Sequence, residues 1–232
     1  MRDRVALVTG SASGIGAATA ARMCRDGFTV IGVDRSEQHD VEFQPRQVDL
    51  ADPDAIQNLV SDFPHVDVLV NNASVLVDTP LEHIALNQMQ TVFDVNLRAP
   101  VLLTRALLPH MVEQGWGRIV NLSSVGARTG GVSDSSVYNM TKAGIASFTR
   151  FLARHYGQWG ITANALAPGG IETGMTAHLA DDIRQRVLSQ IPAGRFATPD
   201  EVAGVIAFLV SDDAAFVNGV TLDVNGGWVM AP

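Results

Sequence analysis

Tyr138-Asn139-Met140-Thr141-Lys142 sets a phenol and an amine four positions apart. On a helix, residues at i and i+4 share a face. A phenol titrates near 10 and is a poor base at neutral pH. A neighbouring ammonium stabilises the phenolate and lowers that value. The pair could then carry a proton to or from a carbinol oxygen. The spacing occurs on many ordinary helices, so its meaning depends on its company. Upstream, Ile119-Val120-Asn121-Leu122-Ser123-Ser124 reads as a buried strand ending in two hydroxyls. Such a hydroxyl could bond a substrate oxygen, or simply turn the chain. Asp94-Val95-Asn96-Leu97 puts an amide in an otherwise apolar helix. A buried amide needs partners, and anchoring a proton relay is one use among several.

Thr9-Gly10-Ser11-Ala12-Ser13-Gly14-Ile15-Gly16 follows an apolar run and opens a helical one. Small residues let the backbone turn sharply, and a helix N-terminus offers free N–H groups to a pyrophosphate. The spacing is G-x-x-x-G-x-G rather than the common G-x-G-x-x-G. Asp34 follows Gly16 by 18 positions, at the end of the next strand-like run. An acidic residue about 20 further on accepts the ribose hydroxyls of an adenosine and repels a 2′-phosphate. The expected cofactor is therefore NAD, with NADP less favoured. Arg35, directly after, could bind a 2′-phosphate if it turned inward.

These residues need a scaffold. Val5–Thr9, Phe28–Asp34, Val66–Asn71, Gly117–Leu122, Ile161–Leu166 and Val220–Val224 read as strands, with Arg46–Asp49 a weaker one. Ile15–Asp26, Asp52–Phe63, Leu86–Glu113, Val137–Trp159 and Pro199–Val210 read as helices. Alternation of this kind implies a parallel sheet covered on both faces. The expectation is a single-domain α/β fold over residues 1–232, a Rossmann-type doubly wound parallel sheet in three αβα layers. Arg35–Gln44 is short and polar, so the second crossover should carry a truncated helix. Residues 170–195 lie between a strand and a helix and suit a lid, with Met175, His178 and Leu179 closing over an apolar substrate.

Hydrophobic residues make up 47% of the chain, enough for a large aliphatic core. No apolar run approaches the roughly 18 residues of a membrane span. The single cysteine, Cys24, permits no intrachain disulfide and suits a reducing cytoplasm. A net charge of −8 disfavours nucleic acid, anionic membranes and acidic carrier proteins as partners. No His/Cys/Asp cluster has ligand spacing, so no catalytic metal is expected.

In this order the motifs resemble the short-chain dehydrogenase/reductase family, from about residue 4 to residue 228. The marks are Thr9 to Gly16, Asn71-Asn72-Ala73, Asp94-Val95-Asn96, the serine strand, Tyr138 with Lys142, Pro168-Gly169 with Ile171-Glu172-Thr173, and Val224-Asn225-Gly226-Gly227. The resemblance implies a catalytic set of Asn96, Ser124, Tyr138 and Lys142. Tyr138 would be the acid/base, Lys142 would lower its pKa and hold the nicotinamide ribose, Ser124 would orient the carbonyl, and Asn96 would hold a water leading from Lys142 to solvent. It also implies cofactor contacts. Gly10, Ser11, Ser13, Gly14, Ile15 and Gly16 would meet phosphates and ribose. Asp34 and Arg35 would flank the adenosine ribose, and Asp49 and Leu50 the adenine. Asn71, Asn72 and Ala73 would lie along the middle. Pro168, Gly169, Ile171 and Thr173 would line the nicotinamide end, beside Tyr138 and Lys142. The chain departs from the family pattern in two places. Thirteen residues separate Ser124 from Tyr138, one more than usual, which leaves Ser123 as a competitor. Ser74 stands where N-N-A is followed by glycine.

The expected activity is interconversion of a secondary alcohol and a ketone (EC 1.1.1.-) on a small-molecule substrate, by a homotetramer or homodimer joined through the two long helices. The runner-up is an NADPH-dependent 3-oxoacyl-thioester (ACP or CoA) reductase. It is suggested by Ile171–Thr176 and Ile191–Arg195, with Arg128 and Arg195 available to an acidic substrate. A cis-diol dehydrogenase is suggested by the short second crossover alone. A non-catalytic dinucleotide sensor on the same fold is the alternative from another class.

Overall fold

The computed structural model describes residues 4–177 and 180–230. His178 and Leu179 of the expected lid lie outside the described residues.

The chain alternates strand and helix. β1 (Val5–Thr9), α1 (Gly14–Arg25), β2 (Thr29–Asp34), β3 (Gln44–Gln47), α2 (Pro53–Asp62) and β4 (Val68–Asn71) form the first half. α3 (Leu86–Phe93), α4 (Ala99–Gln114), β5 (Gly117–Leu122), α5 (Gly126–Thr129) and α6 (Ser136–Tyr156) follow. β6 (Ile161–Pro168), α7 (Gly174–Ala177), α8 (Asp181–Leu188), α9 (Pro199–Val210) and β7 (Thr221–Val224) complete it. The strands form one seven-stranded parallel sheet in the order β3-β2-β1-β4-β5-β6-β7. This is the expected single-domain Rossmann-type αβα fold.

Strands buried on both faces read as continuous apolar runs, and β1, β4 and β5 do so because a core packs on each side. On one face Leu7, Leu69 and Ile119 meet Ile56, Leu107, Met111 and Leu152 of α2, α4 and α6. On the other, Val8, Val70 and Val120 meet Ala20, Met23, Val202 and Ile206 of α1 and α9. The strand order reverses between β1 and β4. A crevice opens there outside the carboxyl ends of the strands, which is where ligands bind in sheets of this kind.

Two elements differ from expectation. No helix forms between Asp34 and Gln44. Instead Gln38 lies back over the glycine loop, accepting from Ser11 Oγ at 2.7 Å and donating to Gly32 O at 3.3 Å. The nine residues between Asp34 and Gln44, 35–43, are mostly polar and exposed and bury too little apolar surface to pack a helix. The stretch Leu86–Glu113 is not one uniform helix either. A π-helical turn, Asp94–Arg98, interrupts it between α3 and α4. Single π turns inside helices concentrate at functional sites, and Asn96 sits at the middle of this one.

Among the described residues, no helix is long and apolar enough to cross a membrane. No group of three or more His, Cys, Asp or Glu there could hold a metal ion.

Candidate active site

The glycine loop turns through Gly10 and Gly14, whose φ values of 72° and 55° lie in the left-handed region that favours glycine. A Cβ on Gly16 would stand 2.0 Å from Gly10 O, so the first turn of α1 can nest under the loop only with glycine there. α1 starts without a side-chain cap. Its first N–H groups therefore have no side-chain acceptor at the point where Ser13, Gly14 and Ile15 line the cleft.

Thr9 locks the loop to β4. Its hydroxyl accepts from the N–H groups of Asn72 and Ala73, both at 3.0 Å, and Asn72 Nδ2 donates back to Thr9 O at 2.9 Å. Thr9 was not singled out from the sequence for this, because a strand-end threonine carries no distinctive spacing.

Two connected compartments result. One, about 390 Å³, is lined by Gly10, Ser13, Gly14, Ile15, Asp34, Asn72, Ala73, Ser124, Tyr138, Lys142, Pro168, Gly169, Ile171 and Thr173, and also by Ser74 and Thr176. The other, about 400 Å³, is lined by Asp34, Arg35, Asp49 and Leu50 and shares Gly10, Ala73 and Ser74 with the first. Of the residues marked out in the sequence, Ser11, Gly16, Asn71 and Asn96 do not line either compartment. Ser11 is buried and bonded to Gln38. Asn71 is buried in the sheet and donates to Asn121 Oδ1 at 2.8 Å.

Asp34 sits at the junction of the compartments. Its carboxylate accepts from Ala12 N at 3.1 Å and Ser36 N at 2.9 Å. These contacts fix the carboxylate beside the glycine loop with lone pairs to spare. Arg35 is exposed, and its carbonyl accepts from Gln47 Nε2.

β5, α5 and α6 bring the reactive groups together. Ser123 and Ser124 part ways. Ser123 Oγ is buried and donates to Lys142 O at 2.8 Å. Ser124 Oγ accepts from Gly126 N at 3.0 Å and bonds the Tyr138 phenol. Ser124, not Ser123, is thus the hydroxyl at the tyrosine. The intervening loop is built of the α5 turn and of Gly130 and Gly131, at φ 82° and 92°. Asn139 pins that turn by donating to Gly130 O at 2.6 Å.

Lys142 is buried, its Nζ donating to Leu122 O at 2.7 Å and lying 5.4 Å from the Tyr138 ring centroid. Burial brings its pKa down to about 7. Tyr138 is shifted the other way. Burial pushes the phenol above its ordinary value, and the nearby Ser124 and Ser74 hydroxyls offset part of that rise. Burial sets the direction of the Tyr138 shift in this fold.

Asn96 engages all of its side chain in protein contacts. Oδ1 accepts from Val75 N at 2.8 Å, and Nδ2 donates to Val75 O at 2.9 Å and to Thr141 Oγ1 at 3.3 Å. Thr141 in turn donates to Tyr138 O at 2.7 Å. Asn96 therefore ties the segment after β4 to the helical turn carrying Tyr138.

Arg128 donates to Asp223 and Thr221 O, and Arg195 is paired with Glu201 at 2.6 Å. Neither guanidinium is left unengaged for an acidic ligand.

A doubly wound parallel sheet, a glycine loop at a bare helix start, and an acidic residue at the end of β2 define a dinucleotide-binding protein; the Ser–Tyr–Lys floor adds acid–base chemistry. A family model described as enoyl-(acyl carrier protein) reductase matches residues 10–229. The chain is 37% identical to the 3-oxoacyl-[acyl-carrier-protein] reductase FabG of Aquifex aeolicus, over 98% of each chain. It superposes on the crystal structure of a putative NAD(P)-dependent gluconate 5-dehydrogenase from Beutenbergia cavernae with bound NADP, with a TM-score of 0.92 at 36% identity, covering 97% of this chain and 96% of that one. A 4-hydroxyisoleucine dehydrogenase complexed with NADH gives a TM-score of 0.92 at 27% identity, covering 99% and 100%. The chain belongs to the short-chain dehydrogenase/reductase family and is an oxidoreductase that binds a dinucleotide.

Proposed function

We propose that this protein reduces the ketone of a 3-oxoacyl thioester to the secondary alcohol, using a nicotinamide dinucleotide. The observation that carries the chemistry is the Tyr138 phenol bonded to Ser124 in a cleft whose other wall is the glycine loop. The substrate class is carried by full-length similarity to a relative of that name. This places the 3-oxoacyl reading ahead of the general NAD-linked alcohol dehydrogenase.

The residues present fit the cofactor. A Cβ on Gly14 would reach to 3.1 Å from Thr173, the residue facing it in the cleft, and α1 offers uncapped N–H groups. Ser13, Gly14 and Ile15 would hold the pyrophosphate, Asp49 and Leu50 the adenine, and Lys142 the nicotinamide ribose. Pro168, Gly169, Ile171 and Thr173 would border the nicotinamide. Bound there, the reduced nicotinamide supplies hydride to the ketone carbon. Ser124 Oγ donates to the ketone oxygen and polarises it. Tyr138 Oη gives its proton to that oxygen as negative charge develops. Lys142 resupplies the proton, since its pKa of about 7 lets it exchange near neutrality.

For the cofactor, Asp34 favours NADH. Its fixed carboxylate suits the ribose hydroxyls and opposes a 2′-phosphate. Neighbours named with NADP and with NADH allow either. The segment 170–195 acts as the lid, its root fastened by Ala197 N to Gly170 O at 3.0 Å. The chain works in the cytoplasm as a homodimer or homotetramer joined through α4 and α6. An apolar groove of about 400 Å³ between them, lined by Val101, Leu108, Phe148 and Phe151, supports that assembly.

Absorbance at 340 nm with acetoacetyl-coenzyme A, against NADH and NADPH in parallel and beside a panel of simple ketones, tests the reading. Fast turnover of the thioester with NADH is expected. Turnover of simple ketones with none of the thioester would overturn it.

A further inference from the structure

Ser74 occupies a position that the N-N-A motif usually continues with glycine, and it borders both compartments of the cleft. Its backbone is clamped on each side. Ala73 N donates to Thr9 Oγ1 at 3.0 Å, and Val75 exchanges two hydrogen bonds with Asn96 at 2.8 and 2.9 Å. Asn96 also reaches Thr141, which holds Tyr138 O. The Ser74 loop and the Tyr138 turn are therefore fixed relative to one another through a single side chain. The Ser74 hydroxyl is shielded from water and makes no hydrogen bond of full geometry within the fold. The polar group it meets is the Tyr138 phenol.

A buried hydroxyl without a committed partner is costly in a purely structural position. It is useful beside a group that must alternate between O–H and O⁻. We propose that Ser74 is a positioning residue for the acid–base step, its O–H donating to Tyr138 Oη and holding the phenolate form while the Ser124 O–H donates to the substrate oxygen. This rests on the reading of Tyr138 as the proton donor. The division of labour follows from placement. Ser124 stands at the end of β5 and serves phenol and substrate. Ser74 stands at the end of β4 and serves the phenol alone. The charged or titratable groups lining this compartment are Asp34, at its adenosine end, Tyr138 and Lys142. Lys142 faces the ring from α6 and does not replace a donor at Oη.

The chain has two tyrosines, which makes the test direct. Tyr156→Phe leaves Tyr138 as the sole phenol. Biosynthetic 3,5-difluorotyrosine then lowers its ionisation into the stable range of the protein and reports it by fluorine NMR, with no substrate present. Ser74→Ala and Ser74→Gly are expected to raise the Tyr138 titration midpoint by about one unit. The unlabelled variants should lose about tenfold in kcat at pH 7, with KM little changed. Ser74→Thr, which keeps the hydroxyl, should restore both. An unchanged midpoint in Ser74→Ala, or a Ser74→Thr variant that behaves like Ser74→Ala, overturns the proposal. Tyr138→Phe separates the two readings. If it turns over like the parent, the acid–base reading fails, whereas the titration judges Ser74 independently of turnover.

Discussion

Lys142 is held in the fold at a cost that depends on pH, and Lys142→Met should expose it. In the unfolded chain the amine keeps its proton up to about 10.5, but in the fold only up to about 7. Between those values the unfolded state binds more protons, so stability rises with pH. The penalty is complete below pH 7 and disappears as pH climbs toward 10.5. At about 1.36 kcal/mol per unit, the full displacement corresponds to about 5 kcal/mol. Methionine has similar length and no charge, so the variant lacks this dependence. It also leaves Leu122 O without its donor, a pH-independent cost of about 1–3 kcal/mol. The informative quantity is therefore the change in the gap between the two proteins, not the gap itself. From pH 6 to pH 9 the parent should gain about 2.5 kcal/mol on the variant by linkage. For a chain of this size that is about 5–10 °C in Tm. Thermal melts of both cofactor-free proteins, at matched concentration across that range, read it. Parallel pH profiles, or a parent that loses ground as pH rises, would refute the reasoning.

Ser124→Ala should lower kcat by about 10²–10³-fold in steady-state assays, as loss of a donor to a developing oxyanion does. Ser123→Ala should instead cost about 1 kcal/mol in chemical denaturation, because its hydroxyl serves Lys142 O, with kcat nearly intact. Asp34→Asn removes the charge and keeps one of the two acceptor oxygens, so one of Ala12 N and Ser36 N loses its partner. The ratio of kcat/KM for NADPH over NADH should then rise about tenfold, or more if like-charge repulsion exceeds about 1.4 kcal/mol. Gly16→Ala places a methyl against Gly10 O. It should cost about 1–3 kcal/mol in stability and weaken dinucleotide binding measured by fluorescence titration.

The sheet was legible because buried parallel strands print their burial as apolar runs: β1 and β5 have the bounds expected from Val5–Thr9 and Gly117–Leu122. The crossover after Asp34 was less so, since a polar segment looks alike whether it forms a short helix or a loop fastened by Gln38. The π turn at Asn96 has no periodic signature in a helix that is apolar on either side of it. In the site, order and spacing put Asp34, Tyr138 and Lys142 on the cleft that the fold forms. Ser123 stayed a competitor to Ser124, because spacing does not show that its hydroxyl is taken up by Lys142 O of α6. Thr9 and Ser74 act through contacts between sequence-distant strand ends, Ser74 being visible only as a departure from glycine. The direction of the phenol shift needed burial, which spacing does not carry.

The central claim is that Tyr138 Oη delivers the proton in a reductase that binds dinucleotide independently of it. Single-turnover mixing of NADH-loaded parent and Tyr138→Phe with acetoacetyl-coenzyme A, alongside NADH binding by each, measures this directly. The account predicts near-equal NADH affinity and a loss of at least about 10²-fold in the NADH oxidation rate for the variant. A Tyr138→Phe protein that binds NADH and oxidises it at the parent's rate would contradict it.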